Sequence, residues 1–275
     1  MHADAHFVVG HAHTAGGKPC QDYALAGDLP GGAFAIVSDG CSSGGRTDVG
    51  ARIISLAAAD ALRENWNGDE WPPTAVALRQ QAVLAGAGAL LGCDASDLLA
   101  TSLFAIANET ERLVQIWGDG VVAWHSGTSL IMARFDWDNN TPYYPAYSLN
   151  GNRDFIAAHG GDINAPRLTC ETWEWTPGRG PALLGRDRFK LGAGIRGAFW
   201  PLEPFYQMTT LAVFSDGVTQ IDGVDWKVAV AELMDFKTRA GDFVKRRLSR
   251  VVRDSHARGR GPIDDIAMAA IDLTS

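Results

Sequence analysis

Hydrophobic and polar positions divide the chain into runs of predicted strands separated by pairs of predicted helices. Apolar runs at HFVVGH, DYALAG and AFAIVS predict three early strands. Apolar residues spaced three and four apart then predict a helix through ARIISLAAADALREN, with Thr47 or Asp48 as its cap. A second helix is predicted after Pro72-Pro73, over TAVALRQQAVLAGAGALL.

The second half of the chain returns to strands and then to helices. Strands are predicted at TSLFAIA, RLVQIW, VVAWHSG and SLIMARF, with Gly118-Asp119-Gly120 as a hairpin turn. Residues 136–200 show little periodicity and contain nine glycines and five prolines, which predicts a loop-rich insertion or a flap over a site. A strand at QMTTLAVFS, helices near 225–234 and 240–257, and a strand in IDDIAMAAIDL complete the pattern.

This order of elements favours one α+β domain over residues 1–275. Strands in runs, with helices in pairs, are typical of antiparallel sheets layered with helices and not of a doubly wound parallel sheet. The composition, 46% hydrophobic and 20% charged, is that of a folded globular protein.

Net charge, hydrophobic runs and cysteine spacing indicate which partners and which cellular location to expect. A net charge of −8 disfavours nucleic acid, because phosphate backbones would repel the protein. The N-terminus lacks the features of a signal peptide, and no run of about 18 apolar residues predicts a membrane span. The four cysteines are scattered, so we expect reduced thiols and a cytoplasmic location.

One arrangement occurs three times: an apolar strand, a small residue and then Asp-Gly. The copies are FAIVSDG with Asp39, LVQIWGDG with Asp119 and LAVFSDG with Asp216. Asp264 and Asp265 precede the last apolar strand, and Gln21-Asp22 precedes DYALAG. Asp-Gly is also an ordinary turn signal, so each copy alone is weak. Carboxylates gathered at one sheet edge would repel each other unless cations neutralised them, and hard oxygen ligands suit Mg²⁺ or Mn²⁺.

In this order the motifs resemble the metal-dependent type 2C Ser/Thr protein phosphatases, the PPM family, as a divergent bacterial-like member. The resemblance runs from about Gly10 to Leu273 and is weakest at 136–200. It implies a four-layer α/β/β/α sandwich with two central antiparallel sheets and two Mn²⁺ or Mg²⁺ ions at one end. The implied reaction is hydrolysis of phosphoserine or phosphothreonine by water activated between the two ions.

The resemblance also implies a role for each matching position. Asp39 would bridge the two metals beside the carbonyl of Gly40, and Asp216 and Asp264 would hold the first metal. Gln21 stands where the family often has an acid for the second metal, with Asp22 next to it as a further catalytic candidate. Asp119 would serve a third, weaker ion, and Thr101 would be structural.

Three positions depart from the family pattern. Gly17 stands where the family usually has a phosphate-binding Arg, so we expect Lys18 or Arg46 to substitute. Cys41 stands where a His is thought to protonate the leaving group, which predicts low activity towards alkyl phosphates. Gln21 is neutral, which predicts weaker binding of the second metal.

Two histidines near the N-terminus are further candidates. His11 and His13, two apart in GHAHT, would share one face of a strand. They could join a metal site or donate protons. The favoured interpretation is that one is exposed and the other is a hydrogen-bonded scaffold group.

The function predicted first is a phosphatase acting on a phosphorylated protein, as the partner of a Ser/Thr kinase in signalling. A pseudophosphatase that acts as a binding module is one alternative, because the family's Arg and His are missing. A phosphohydrolase of small metabolites is another, since residues 136–200 could reshape the pocket. Neither a nucleic acid nor a membrane is an expected partner.

Overall fold

The computed structural model describes residues 1–66, 72–202 and 208–274. Two antiparallel sheets form its centre. The first has the spatial order β1 (His2–Val8), β12 (Ile266–Asp272), β11 (Met208–Phe214), β6 (Gly120–Ser126), β7 (Ser129–Trp137), β8 (Pro166–Thr176) and β9 (Gly180–Lys190). The second has the order β10 (Ala198–Pro201), β5 (Arg112–Trp117), β4 (Ser102–Asn108), β3 (Gly32–Ser38) and β2 (Tyr23–Leu29).

Helices cover the outer face of each sheet. The described helices are α1 (His11–Ala15), α2 (Thr47–Asn65), α3 (Pro73–Leu91), α4 (Arg153–Ala158), α5 (Leu191–Arg196), α6 (Trp226–Met234) and α7 (Phe243–Ala257). The pair α2 and α3 lies on the five-stranded sheet, and α6 and α7 lie on the seven-stranded sheet. The expected four-layer α/β/β/α sandwich is confirmed.

The last strand shows why its sequence is a continuous apolar run. Met268 and Ala270 of β12 face the layer of α6 and α7. Ala267, Ala269 and Ile271 point the other way, into the core between the two sheets. Because both faces of this strand are buried, residues 266–271 are all apolar and no alternation is visible in the sequence.

The start of α2 differs from the prediction. The helix begins at Thr47 after Arg46, and no side chain caps it. The Thr47 hydroxyl donates to the carbonyl of Cys41 at 3.2 Å and accepts from the Gln21 amide at 2.8 Å. Neither Thr47 nor Asp48 is therefore the cap, because Thr47 lies inside the helix and its hydroxyl ties two loops together.

The predicted hairpin at Gly118-Asp119-Gly120 is wrong. β5 belongs to the five-stranded sheet and β6 to the seven-stranded sheet, so this turn carries the chain from one sheet to the other. Gly118 and Gly120 have φ values of 114° and 139°, which favour glycine. A Cβ on Gly120 would lie 2.5 Å from the carbonyl oxygen of Phe214, so the crossover packs directly on β11.

The loop-rich interpretation of 136–200 is wrong for its central part. β8 and β9 are strands of 11 residues each and extend the seven-stranded sheet beside β7. β9 is an edge strand exposed along most of its length, so its residues lack the apolar alternation that predicts a strand. Segments 138–165 and 191–197 are short helices and turns, and Trp137, Tyr143 and Phe155 join the central core.

Within the described residues, no helix combines the length and hydrophobicity needed to cross a bilayer.

Candidate active site

Acidic side chains converge where the strands of both sheets end. Asp39 follows β3, Asp216 follows β11, and Asp119 lies in the crossover between β5 and β6. Asp22 precedes β2, and Asp264 and Asp265 precede β12. Since the partners of antiparallel strands begin where their neighbours end, all these positions fall at one end of the sandwich.

Asp39 lies at the centre of this cluster. The carboxyls of Asp22 and Asp216 lie close enough to the Asp39 carboxyl for their charges to raise its pKa, in addition to the effect of burial. Burial raises the pKa of Asp119 and of Asp264, and the nearby charge of Asp216 raises both further. The three residues named first as ligands, Asp39, Asp216 and Asp264, therefore lie in one acidic pocket.

Burial and mutual repulsion disfavour charge in this pocket. Burial raises the pKa of Asp39, and the charges of Asp22 and Asp216 raise it further. Burial likewise raises the pKa of Asp22, against an opposing hydrogen bond from Ser215. The pKa of Asp119 is raised by burial and by Asp216. Without a cation, the cluster would hold protons that isolated aspartates release.

Asp265 differs from its neighbours because its carboxylate is fully hydrogen-bonded. The backbone N–H of Gly10 donates to Oδ1 at 2.7 Å, and the backbone N–H of Gln21 donates to Oδ2 at 2.6 Å. Nδ1 of His13 lies 2.8 Å from the same Oδ2. The Asp265 N–H donates to Oδ1 of Asp264 at 2.9 Å. Asp265 thus fastens the N-terminal segment and orients Asp264.

The two N-terminal histidines lie on the short helix α1, not on a strand as predicted. His11 is exposed, and its Nδ1 lies 3.1 Å from the carbonyl of Pro262. His13 is buried, and its Nε2 lies 3.9 Å from Oδ1 of Asp264. One exposed histidine and one hydrogen-bonded scaffold histidine are what the favoured interpretation expected. One ligand atom from each of His13, Asp264 and Asp265 lies within 4.8 Å of the others, close enough to hold a cation together, but both oxygens of Asp265 already accept hydrogen bonds.

Gln21 and Asp22 occupy different surroundings. The Gln21 amide donates to Thr47 Oγ1, while its Oε1 is buried without a hydrogen-bond partner. Asp22 is buried in the acidic cluster, and its Oδ2 also has no hydrogen-bond partner. An oxygen in this state costs free energy unless a cation or proton compensates it.

Two close backbone contacts fix Asp39 and Gly40. The Asp39 N–H donates to the Thr101 hydroxyl at 2.9 Å, and the Thr101 N–H donates to the Asp39 carbonyl at 2.8 Å. A Cβ on Gly40 would lie 2.8 Å from the carbonyl oxygens of both Gln21 and Thr47, so no larger residue fits. Thr101 therefore holds Asp39 in place.

The two cations expected to replace the missing Arg are differently placed. Lys18 is exposed, and its Nζ donates to the carbonyl of Ser42, in the loop after Asp39, at 3.3 Å. Arg46 is paired with Asp97 at 2.9 Å, and this contact lowers the pKa of Asp97 to about 2. Because Arg46 is engaged by Asp97, Lys18 is the better candidate for a substrate phosphate.

Cys41 lies at the rim of the pocket and is half-buried. Burial opposes ionisation of its thiol, but hydrogen bonds from Ser43, Tyr144 and backbone groups prevail, and the pKa of Cys41 is lowered. Tyr144 is buried, and the charges of Asp39 and Asp119 help to raise the pKa of its hydroxyl. Tyr144 therefore lies near both Cys41 and the acidic cluster.

Sequence reasoning missed three residues of this site. Tyr144 belongs to the segment predicted as a loop-rich insertion, and no motif marks it. Asp136 lies late in β7, where burial raises its pKa and the charge of Asp216 adds to the effect. Gln220 donates to Oδ2 of Asp216 at 3.0 Å, and its spacing of four residues from Asp216 was the one available signal.

The family comparison agrees with this arrangement. Residues 9–144, about half of the chain, match the family model described as Protein phosphatase 2C. This segment contains Gln21, Asp22, Asp39 and Asp119, and the sandwich that surrounds it is the fold of that family. The chain is a member of the protein phosphatase 2C family.

Solved structures extend the similarity of fold to the whole chain. A bacterial serine phosphatase is 10% identical with a TM-score of 0.58, covering 99% of this chain and 98% of its own. Serine/threonine phosphatase Stp1 from Staphylococcus aureus is 11% identical with a TM-score of 0.53, covering 100% and 96%. The catalytic domain of the serine/threonine phosphatase PstP, in complex with two manganese ions, is 14% identical with a TM-score of 0.52, covering 98% and 97%. At such identities the likeness concerns the fold alone.

No curated protein matches the sequence significantly.

Proposed function

We propose that this protein is a metal-dependent phosphatase that hydrolyses phosphoserine or phosphothreonine in a protein substrate. The observation that carries the proposal is that Asp22, Asp39 and Asp216, which lie at the ends of three strands, come within range of one another's charge. The carboxylates of this pocket outnumber the basic side chains near them, His13 and Arg134, so the pocket has a strong need for cations.

The donor set suits two hard divalent ions. Asp39 would serve both ions, with the Gly40 carbonyl beside it, and Asp216 and Asp264 would hold the first ion. The unpartnered Oδ2 of Asp22 and Oε1 of Gln21 are the remaining oxygens for the second ion. Asp119 would serve a third. Oxygen donors of this kind favour Mn²⁺ or Mg²⁺. The catalytic domain of PstP, which is similar in fold, was solved in complex with two manganese ions.

Residues of the chain would hold and orient the reacting groups. Bound ions would supply an activated water and neutralise charge on the phosphoryl oxygens. Lys18, anchored on the Ser42 carbonyl, would attract the substrate phosphate as a point charge. The Cys41 thiol and the nearby Tyr144 hydroxyl are weak acids, so we expect slow hydrolysis of alkyl phosphates and faster hydrolysis of aryl phosphates.

The direct test measures hydrolysis of p-nitrophenyl phosphate and of a phosphothreonine peptide with Mn²⁺, with Mg²⁺ and with EDTA. We expect turnover that needs the metal and falls at least roughly a hundredfold in Asp39→Asn. The matched control is Asp187→Asn, an exposed aspartate on β9. Equal activity in EDTA and Mn²⁺ would overturn the proposal.

The same assay separates the alternatives. A wild-type protein that binds Mn²⁺ and hydrolyses neither substrate would be a pseudophosphatase acting as a binding module. Strong preference for a small phosphorylated metabolite would indicate the metabolite hydrolase. A cytoplasmic location and a partner Ser/Thr kinase in signalling belong to the proposal as further expectations.

A further inference from the structure

A basic segment stands out on this acidic chain. Residues 236–260 contain nine lysines and arginines and two aspartates, a net charge of +7. The rest of the chain contains 15 basic and 30 acidic residues, a net charge of −15. The segment therefore carries a potential of the opposite sign to the remainder of the molecule.

The segment forms a groove of about 210 Å³ between α7 and the loop before it. We call it the α7 groove. Phe236 and Phe243 form its apolar floor, with ring centroids 4.9 Å apart. Lys237, Arg246 and Arg250 line it and are exposed.

The loop side of the groove is held by hydrogen bonds. The Arg246 guanidinium donates to the carbonyl of Ala240 at 2.6 Å, and the Phe243 N–H donates to the carbonyl of Gly241 at 2.7 Å. His2 Nε2 lies 3.0 Å from the same Gly241 carbonyl, which joins the loop to β1. These contacts fix the groove before any ligand arrives, and this reduces the entropy lost on binding.

The cations of the groove are incompletely neutralised. Arg247 donates to the Glu232 carbonyl and lies 3.6 Å from Asp235, so its charge is partly compensated. Among the described residues, Lys237, Arg246 and Arg250 have no carboxylate within ion-pair distance. Lys237, Arg250 and the part of the Arg246 guanidinium that does not bind Ala240 are thus available to an anionic group that enters the groove.

We propose that the α7 groove is a docking site for an acidic segment of a partner protein, with clustered Asp, Glu or phosphoserine side chains. Arginine pairs with carboxylate and phosphate through two parallel hydrogen bonds, and Lys237 adds a point charge. The phenylalanine floor accepts an apolar neighbour of the acidic residues. The positive charge and the apolar floor of the groove thus match the negative charge and the apolar neighbours of such a segment.

Other anionic partners fit the groove less well. The net charge of −15 outside the segment would repel a long nucleic acid that extended past the groove. A bilayer would require an apolar face on α7, whereas Phe243, Val244 and Leu248 are buried in the core. A short acidic peptide needs neither a long basic surface nor an exposed apolar face.

The position of the groove indicates how docking would serve the enzyme. It lies at the start of α7, and the acidic pocket lies beyond its end, on the order of 20 Å away for a helix of this length. Resting on the proposed function, we assign the acidic segment to the phosphoprotein substrate itself, several residues from its phosphorylated side chain. Docking would then lower KM without changing the chemistry.

Fluorescence anisotropy of a labelled peptide of Asp, Glu and one phosphoserine tests the proposal on the full chain in EDTA, where hydrolysis is prevented. We expect the double variant Lys237→Glu/Arg250→Glu to weaken binding at least roughly tenfold. Arg179→Glu, the same charge change at the exposed tip between β8 and β9, should change it by less than about twofold. An uncharged peptide of equal length should not bind.

Hydrolysis of p-nitrophenyl phosphate by the double variant should equal that of the wild type, which also checks folding. The proposal is overturned if the wild type does not bind the acidic peptide, or if Arg179→Glu weakens binding as much as the double variant. A different outcome is that the wild type binds single-stranded DNA or phosphatidylserine vesicles more tightly than the acidic peptide. If the double variant abolished that binding, the assignment to a protein partner would be overturned. Absent hydrolysis with intact peptide binding would refute the proposed function and leave the docking site.

Discussion

The His13 imidazole and the Asp265 carboxylate meet at 2.8 Å, although 252 positions separate them in the sequence. Asp265 in turn receives the N–H groups of Gly10 and Gln21, and its own N–H donates to Asp264. The contact therefore ties the beginning of the chain to its end and sets the position of a proposed metal ligand. This contact therefore stabilises one side of the acidic pocket.

Removing His13 should disturb both stability and metal binding. In His13→Ala the buried Asp265 loses a donor, and we expect a loss of about 1–3 kcal/mol in the free energy of unfolding, measured with urea. Calorimetry should also show weaker Mn²⁺ binding, because Asp264 is less well oriented. His13→Asn should recover part of both effects. A variant with reduced stability and unchanged Mn²⁺ affinity would limit His13 to a structural role.

The metal-free protein should lose stability as pH rises. The pKa values of Asp22, Asp39 and Asp119 are raised in the folded state above the usual value near 4. Their contribution is therefore fully present below that value and is lost as the pH rises through the folded-state pKa values. Differential scanning fluorimetry in EDTA from pH 4 upward measures this. Mn²⁺ should raise Tm more at high pH than at low pH. An increase in Tm that is the same at every pH would contradict the raised pKa values of the acidic cluster.

Placing an acid at position 21 should strengthen the proposed second metal site. Gln21→Glu adds a negative charge where the family often has one, and it replaces an oxygen that has no hydrogen-bond partner. We expect the Mn²⁺ concentration for half-maximal activity to fall by roughly tenfold. The change also removes the amide donor to Thr47, so Gln21→Ala serves as a control for that loss. An unchanged or higher Mn²⁺ requirement would show that position 21 does not contact the second ion.

Gly120 should tolerate no side chain. In Gly120→Ala the new Cβ meets the Phe214 carbonyl at 2.5 Å, and φ is 139°. We expect a loss of at least about 2 kcal/mol in the free energy of unfolding. Gly178→Ala is the control, because Gly178 has a φ of 82° and open space around its Cβ position. Equal losses in the two variants would mean that backbone strain alone, and not the crossover contact, sets the cost.

The layered fold was predictable because the local sequence pattern indicates most of the strands. β3, β4 and β11 are apolar runs bounded by turns, and α2 has clear helical spacing, so their existence needed no knowledge of tertiary contacts. What the sequence does not reveal is which strands share a sheet. The residues of the turn at Asp119 are those of a typical hairpin turn, yet this turn joins two different sheets. Which strands pair with each other depends on how both faces of each strand are buried in the folded protein.

The acidic pocket was predictable for a related reason, and its rim was not. Asp39, Asp216 and Asp264 occupy strand ends, which the pattern fixes to within a residue or two. Tyr144 and the choice of Lys18 over Arg46 depend on long-range packing. Arg46 is engaged by Asp97, a partner 51 positions away that no periodicity indicates.

Binding of Mn²⁺ measured by isothermal titration calorimetry tests the central claim most directly. The account predicts that the wild type and Asp187→Asn bind two Mn²⁺ ions per chain, while Asp39→Asn loses both or binds them at least roughly a hundredfold more weakly. Equal Mn²⁺ binding by Asp39→Asn and the wild type, or no binding by either, would contradict it.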